Sequence, residues 1–198
     1  VDSSMAVRAV SLVRRTGAIM LLAPQARGNG LPPGREMGED DAMPDLLWDD
    51  VKNLFDPEME GCLPDVFVRG TNADDWQAVL DLIPAQGWWS EYAEGRAVMP
   101  LPSAGRILSR SPDAECPQLR VRPVPDMEAI FRFLSDEEID FDVDLRELQG
   151  QERLDLLCGF LRTIGRHLGK PVVMSPEGSY GTEMLRYEPG ADRVVLLI

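Results

Sequence analysis

The stretch Ile139-Asp140-Phe141-Asp142-Val143-Asp144-Leu145 alternates strictly between apolar and acidic residues. A helix would mix the two sets around its circumference, whereas a strand sends successive side chains to opposite faces. The segment therefore predicts a strand with Ile139, Phe141, Val143 and Leu145 on a core face and Asp140, Asp142 and Asp144 on the other. One apolar and one polar face is the usual pattern of antiparallel sheets. Carboxylates on one face of a strand recur about every 7 Å. Three in a row repel one another unless arginine, a cation or water offsets them. Arg120, Arg122 and Arg132 lie on segments that also read as strands and are the natural neighbours.

The other elements follow from periodicity and punctuation. Leu47, Trp48, Val51, Leu54 and Phe55 form one helical stripe, which predicts a helix over 44–55 that ends at Asp56-Pro57. Residues 65–69 read as a strand. Asn72 offers an N-cap to a helix whose stripe is Trp76, Val79, Leu80 and Ile83. Residues 88–92 and 97–101 form a hairpin around Glu94-Gly95, and 102–109 a short helix. Strands over 118–124 and 128–134 turn at Pro125-Asp126. The longest helix is predicted over 149–168, with Gly169 closing it and strands over 172–174, 184–187 and 193–198 after it. Clustered strands with intervening helices indicate an α+β fold, a mainly antiparallel or mixed sheet with helices packed on one side.

Charge divides the 198-residue chain unevenly. The formal net charge is −14, yet residues 1–35 hold five arginines against Asp2 alone, so the acidic excess lies beyond them. Residues 5–22 fall short of the roughly 20 apolar residues a membrane helix needs. Residues 28–41 are rich in glycine, proline and charge without apolar period, as linkers are. Residues 1–42 are thus read as a disordered arm, a flexible or spurious N-terminal extension, and 43–198 as a single α+β globular domain. The acidic body repels nucleic acid and anionic membranes and favours a basic protein partner. Cys62, Cys116 and Cys158 are far apart and form no CxxC pair, which fits a cytoplasmic protein. Eighteen arginines against only Lys52 and Lys170 suggest a GC-rich, bacterial coding sequence.

Catalytic signatures are scarce. His167 is the lone histidine, and neither a GxSxG elbow nor a phosphate-binding GxxxxGK[ST] loop occurs. No catalytic set and no cofactor is expected. Two groups stand out as a binding surface. Asp140, Asp142 and Asp144 offer an acidic row, and Trp88 and Trp89, adjacent on a strand, send one ring to each face. An exposed tryptophan beside acidic residues suits a protein-binding hot spot. The expected function is a small protein-protein interaction module that binds a basic partner. In composition, and in no motif, the chain is similar to the inhibitor or immunity proteins that mask a toxin's basic cleft. Two alternatives are a metal-dependent hydrolase using Asp140, Asp142 and Asp144, and a homo-oligomeric structural protein with the Trp88-Trp89 strand at its edge. The segment 175–183 is polar and long for a hairpin. It reads as an ordinary loop or as the border of a ligand pocket.

Overall fold

A computed structural model of the chain describes residues 43–58, 61–111 and 113–197. The extension expected over residues 1–42 lies outside the described residues. Among the described residues, nine strands form one sheet in which every pairing is antiparallel. They are β1 (Asp65–Arg69), β2 (Trp89–Glu94), β3 (Ala97–Met99), β4 (Gln118–Val124), β5 (Met127–Arg132), β6 (Glu138–Val143), β7 (Val172–Ser175), β8 (Leu185–Glu188) and β9 (Arg193–Leu196). Their spatial order is β3-β2-β4-β5-β6-β1-β7-β8-β9. β1 therefore joins two halves, pairing with β6 on one side and β7 on the other.

Directly paired residues of neighbouring strands share a face. The registers Leu119–Phe131–Phe141–Val66–Met174–Leu185 trace one apolar row across six strands, and all six side chains are fully buried. The rings of Phe131 and Phe141 stack at 4.5 Å between centroids. Among the described residues, four α-helices accompany the sheet, α1 (Trp48–Val51), α2 (Ala73–Ala85), α3 (Ala104–Leu108) and α4 (Gln151–Leu168). Phe160 of α4 meets Phe141 edge-on at 5.7 Å. Trp76 of α2 packs on Phe133 at 4.5 Å, and its indole N–H donates to the Ser135 carbonyl at 3.0 Å, so the buried ring leaves no donor unpaired. α2 begins with a full capping box. The Asn72 side chain accepts from the N–H groups of Asp74 and Asp75, and the Asp75 carboxylate accepts from the Asn72 N–H.

Two elements depart from the sequence expectation. The helix expected over 44–55 is one α-turn, Trp48–Val51, followed by a 3-10 turn over Lys52–Phe55. Tertiary partners hold the residues before it. The Asp45 carboxylate accepts from Arg162 and from the Val194 N–H, and Gln151 bonds both the Leu46 carbonyl and the Trp48 N–H. The apolar stripe still docks, with Val51 and Phe55 fully buried. The second departure is at β6, which ends at Val143. Leu145 belongs to a 3-10 turn, Leu145–Glu147. No described helix is long and apolar enough to cross a membrane.

α4 lies close to β8 at Gly165. A Cβ built there would sit 2.1 Å from Cδ1 of Tyr187, whose ring is buried and cannot retreat into solvent. At Gly159 of the same helix a Cβ would meet nothing within 4 Å. The two Gly→Ala changes should therefore act in opposite directions. Gly165→Ala should cost about 1–3 kcal/mol by overpacking, while Gly159→Ala should add about 0.5–1 kcal/mol through helix propensity. Urea unfolding of each variant checks this, and equal shifts of the two midpoints would contradict the packing described.

Candidate functional site

The opposite face of the central strands carries charge. Arg132 of β5 pairs across the sheet with Asp140 of β6, and Asp142 of β6 pairs with Asp65 of β1. The guanidinium of Arg132 donates from Nε to Asp140 (2.9 Å) and from Nη2 to Asp142 (2.6 Å), with Asp65 a weaker partner at 3.4 Å. The three carboxylate residues are nearly closed off from solvent, at 1 % exposure for Asp140, 8 % for Asp65 and 9 % for Asp142. Ser175 of β7, paired across from Asp65, adds a fully buried hydroxyl to the same patch.

The lid on this patch is the β7–β8 connection. The Tyr180 hydroxyl donates to Asp140 Oδ2 at 2.5 Å, and the Gly178 N–H donates to Asp65 Oδ2 at 3.1 Å. The Tyr180 ring stacks on Phe67 of β1, with centroids 5.5 Å apart and planes 14° apart, and the Arg69 guanidinium lies 4.3 Å from the same Phe67 ring. Burial, against the pull of Arg132, pushes the Asp142 carboxyl up to about 6. The nearby charges of Asp140, Asp65 and Glu177 add to the rise. Burial and the bond to Asp140 raise the Tyr180 phenol above its ordinary value, so it stays protonated and donates.

Asp140, Asp142 and Asp144 therefore do not form the continuous open acidic row expected from the alternation. Asp140 and Asp142 are covered and shared by one arginine. Asp144 lies past the end of β6, where its side chain caps the 3-10 turn through the Arg146 N–H at 2.9 Å and pairs with the Arg146 guanidinium. The hydrogen bond from Arg146 holds the Asp144 carboxyl below its ordinary range. Among the described residues, no three His, Cys, Asp or Glu side chains are placed to hold a metal ion. Within the cluster, the guanidinium of Arg132 stands where a cation would have to sit between the carboxylates. Asp65 and Tyr180 were not among the expected site residues. A lone acid in the apolar strand Asp65-Val66-Phe67-Val68 was a usable signal, and the long polar segment 175–183 marked the loop that carries Tyr180 without singling out that residue.

Towards β2 the same face opens. Trp89 is 46 % exposed. Its cross-strand partner Arg122 lays the guanidinium 4.5 Å from the Trp89 ring and bonds Glu128 through Nε at 2.8 Å. Beside Arg122 lies an open cavity of about 640 Å³, which is also lined by Glu128, Arg146, Glu147, Gln149 and Arg153. Each of its arginines has a carboxylate partner, so the cavity offers no uncompensated positive charge to an anion. Trp88 goes the other way and packs on Phe160 at 4.9 Å. β2 is not an edge strand, because it is flanked by β3 and β4. Cys158 is buried, and that burial pushes its thiol up to about 12, which leaves it unreactive at neutral pH.

Arg132→Met keeps the bulk of the side chain and removes the charge. Three covered carboxylates then lack a cation, and the expected cost is about 3–5 kcal/mol near pH 7. Protonation of the carboxyls relieves that cost, so the deficit against the parent protein should shrink at pH 5. Urea unfolding at the two pH values reads both effects. A deficit independent of pH would mean that lost packing, not charge, is responsible.

No family model, curated protein or solved structure matches the chain.

Proposed function

We propose that the protein is a binding module for a basic protein partner, working as inhibitor or immunity proteins do when an acidic domain masks a basic cleft. The observation that carries this reading is Trp89. A large aromatic side chain is left 46 % exposed on the sheet face, yet its position is already set by Arg122, which Glu128 holds in turn. Tryptophan and arginine are the residue types that dominate binding hot spots, and an anchor ordered before binding loses little entropy on docking. The acidic excess beyond residue 35 supplies long-range attraction for a cationic partner. Asp140 and Asp142 contribute to that field from beneath their cover, while Trp89 makes the contact.

The full chain, carrying a photocrosslinker next to Trp89, should capture a basic protein from its source cells. The purified pair should then bind with an affinity that falls as salt rises. Trp89→Ala should weaken it at least tenfold, chiefly through faster dissociation, which corresponds to at least about 1.4 kcal/mol. Binding unaffected by both salt and Trp89→Ala would remove this face from consideration.

Self-association has one observation of its own. β3 lies at one end of the sheet, all three of its residues are exposed, and Val98 shares the face of Trp89 at 65 % exposure. An open apolar edge is a template for pairing with a second copy. Sedimentation of the full chain and of Val98→Lys separates the readings. A dimer that the lysine dissociates supports the edge, and a monomer in both cases leaves the heterologous partner.

A further inference from the structure

We propose that the 176–183 loop is a proton-operated latch, closed over the sheet while the Asp65–Asp140–Asp142 cluster holds a proton and opening as that proton leaves. The argument begins with charge counting at one place. Three covered carboxylates face one guanidinium, so full ionisation leaves an excess of two negative charges beneath the loop. Two of the three are directly opposed across the strands, Asp65 on β1 and Asp142 on β6, where like charges destabilise pairing. The loop brings a fourth carboxylate, Glu177, whose charge bears on Asp142.

The loop's own anchors give the latch its mechanics. Gly178 and Tyr180 hang from Asp65 and Asp140, while Glu177 accepts from the N–H groups of Cys62 at 2.8 Å and Leu63 at 3.1 Å. These contacts hold the loop down over the charge that repels Glu177. The groups facing Asp142 are Arg132 from β5, Asp140 from its own strand, Asp65 from β1 and Glu177 from the loop, with Tyr180 reaching the cluster through Asp140. Only Arg132 among them is cationic. A proton on Asp142 removes one charge from under Glu177 and the opposed charge from Asp65, while its carbonyl oxygen can still accept from Arg132.

The sign follows from linkage. In the closed state the Asp142 carboxyl titrates near 6. Exposed by an open loop it would titrate near its ordinary value of about 4. Closure is therefore fully supported below the lower value and progressively lost as pH rises through the higher one. The opening constant grows up to about tenfold per pH unit between the two, then levels off.

Hydrogen exchange of the full chain, corrected for the intrinsic pH dependence of exchange, tests this. Opening of 176–183 should rise at least tenfold from pH 4.5 to 7.5 and level off above about pH 6, with the amides of α4 unchanged. Asp142→Asn keeps the acceptor for Arg132 and cannot ionise, so its loop should stay protected across the range. Glu177→Gln should reduce the rise. A flat profile in the parent protein, or the same rise in Asp142→Asn, overturns the proposal. If Asp142→Asn does not fold, Glu177→Gln decides, and a rise equal to the parent's overturns it. Binding through Trp89 is read separately, so failure of the latch and failure of the partner-binding reading are distinguishable.

Discussion

The fork of Arg132 among Asp65, Asp140 and Asp142 is the interaction on which the centre of this protein depends. Three adjacent strands, β5, β6 and β1, each place a charged group on one covered patch. Without the guanidinium, the strand that joins the two halves of the sheet would bring like charges face to face. Taking a charge out of water is costly, and a buried ion pair stabilises little compared with apolar packing of the same volume. Once the carboxylates are there, however, the cation is required, and removing it costs more than the pair contributes. The chain has accepted charge at its midline, where a row of valines would have served stability as well. That is a reason to look for a role there beyond packing.

The two faces of the sheet are finished by different means. One carries the apolar row from Leu119 to Leu185, against which Phe160 of α4 packs. The other is closed over β1 and β6 by a short loop that lays one tyrosine ring on Phe67 and is otherwise held by polar contacts, from Gly178 and Tyr180 to the cluster and from Cys62 and Leu63 to Glu177. A cover with so few apolar contacts belongs to the low-stability end of a structure, where local opening is cheap. Beyond that loop, towards β2, the face is exposed and Trp89 stands on it. The covered acids and the open tryptophan thus lie on one surface and have distinct physical characters. One is suited to respond to protons, the other to make contact.

Much of the architecture was legible in the chain because it depends on local signals. The alternation of 139–143 placed Phe141 and Asp140 on opposite faces. Asn72 marked the start of α2, and Gly169 marked the end of α4. The antiparallel α+β class followed from the clustering of strands. The helix expected over 44–55 was shortened because Asp45, Leu46 and Trp48 find partners on α4 and β9, more than 100 residues away in sequence. Propensity could not anticipate that competition.

By itself the sequence determined which side of each strand was apolar, where chain turns fell, and that the body carried a large acidic excess. These depend on side-chain period and composition, which are written residue by residue. Only the tertiary structure decided what lay over the acidic side. Alternation says that Asp140 and Asp142 share a face, but it cannot say that a loop some 40 residues later closes over that face. Nor can it say that Arg132, rather than Arg120 or Arg122, is the neighbour in register. Covering and register are long-range properties, set by the order β5-β6-β1-β7 and the length of one connection. They turned two members of an expected acidic binding row, Asp140 and Asp142, into a shared and buried cluster.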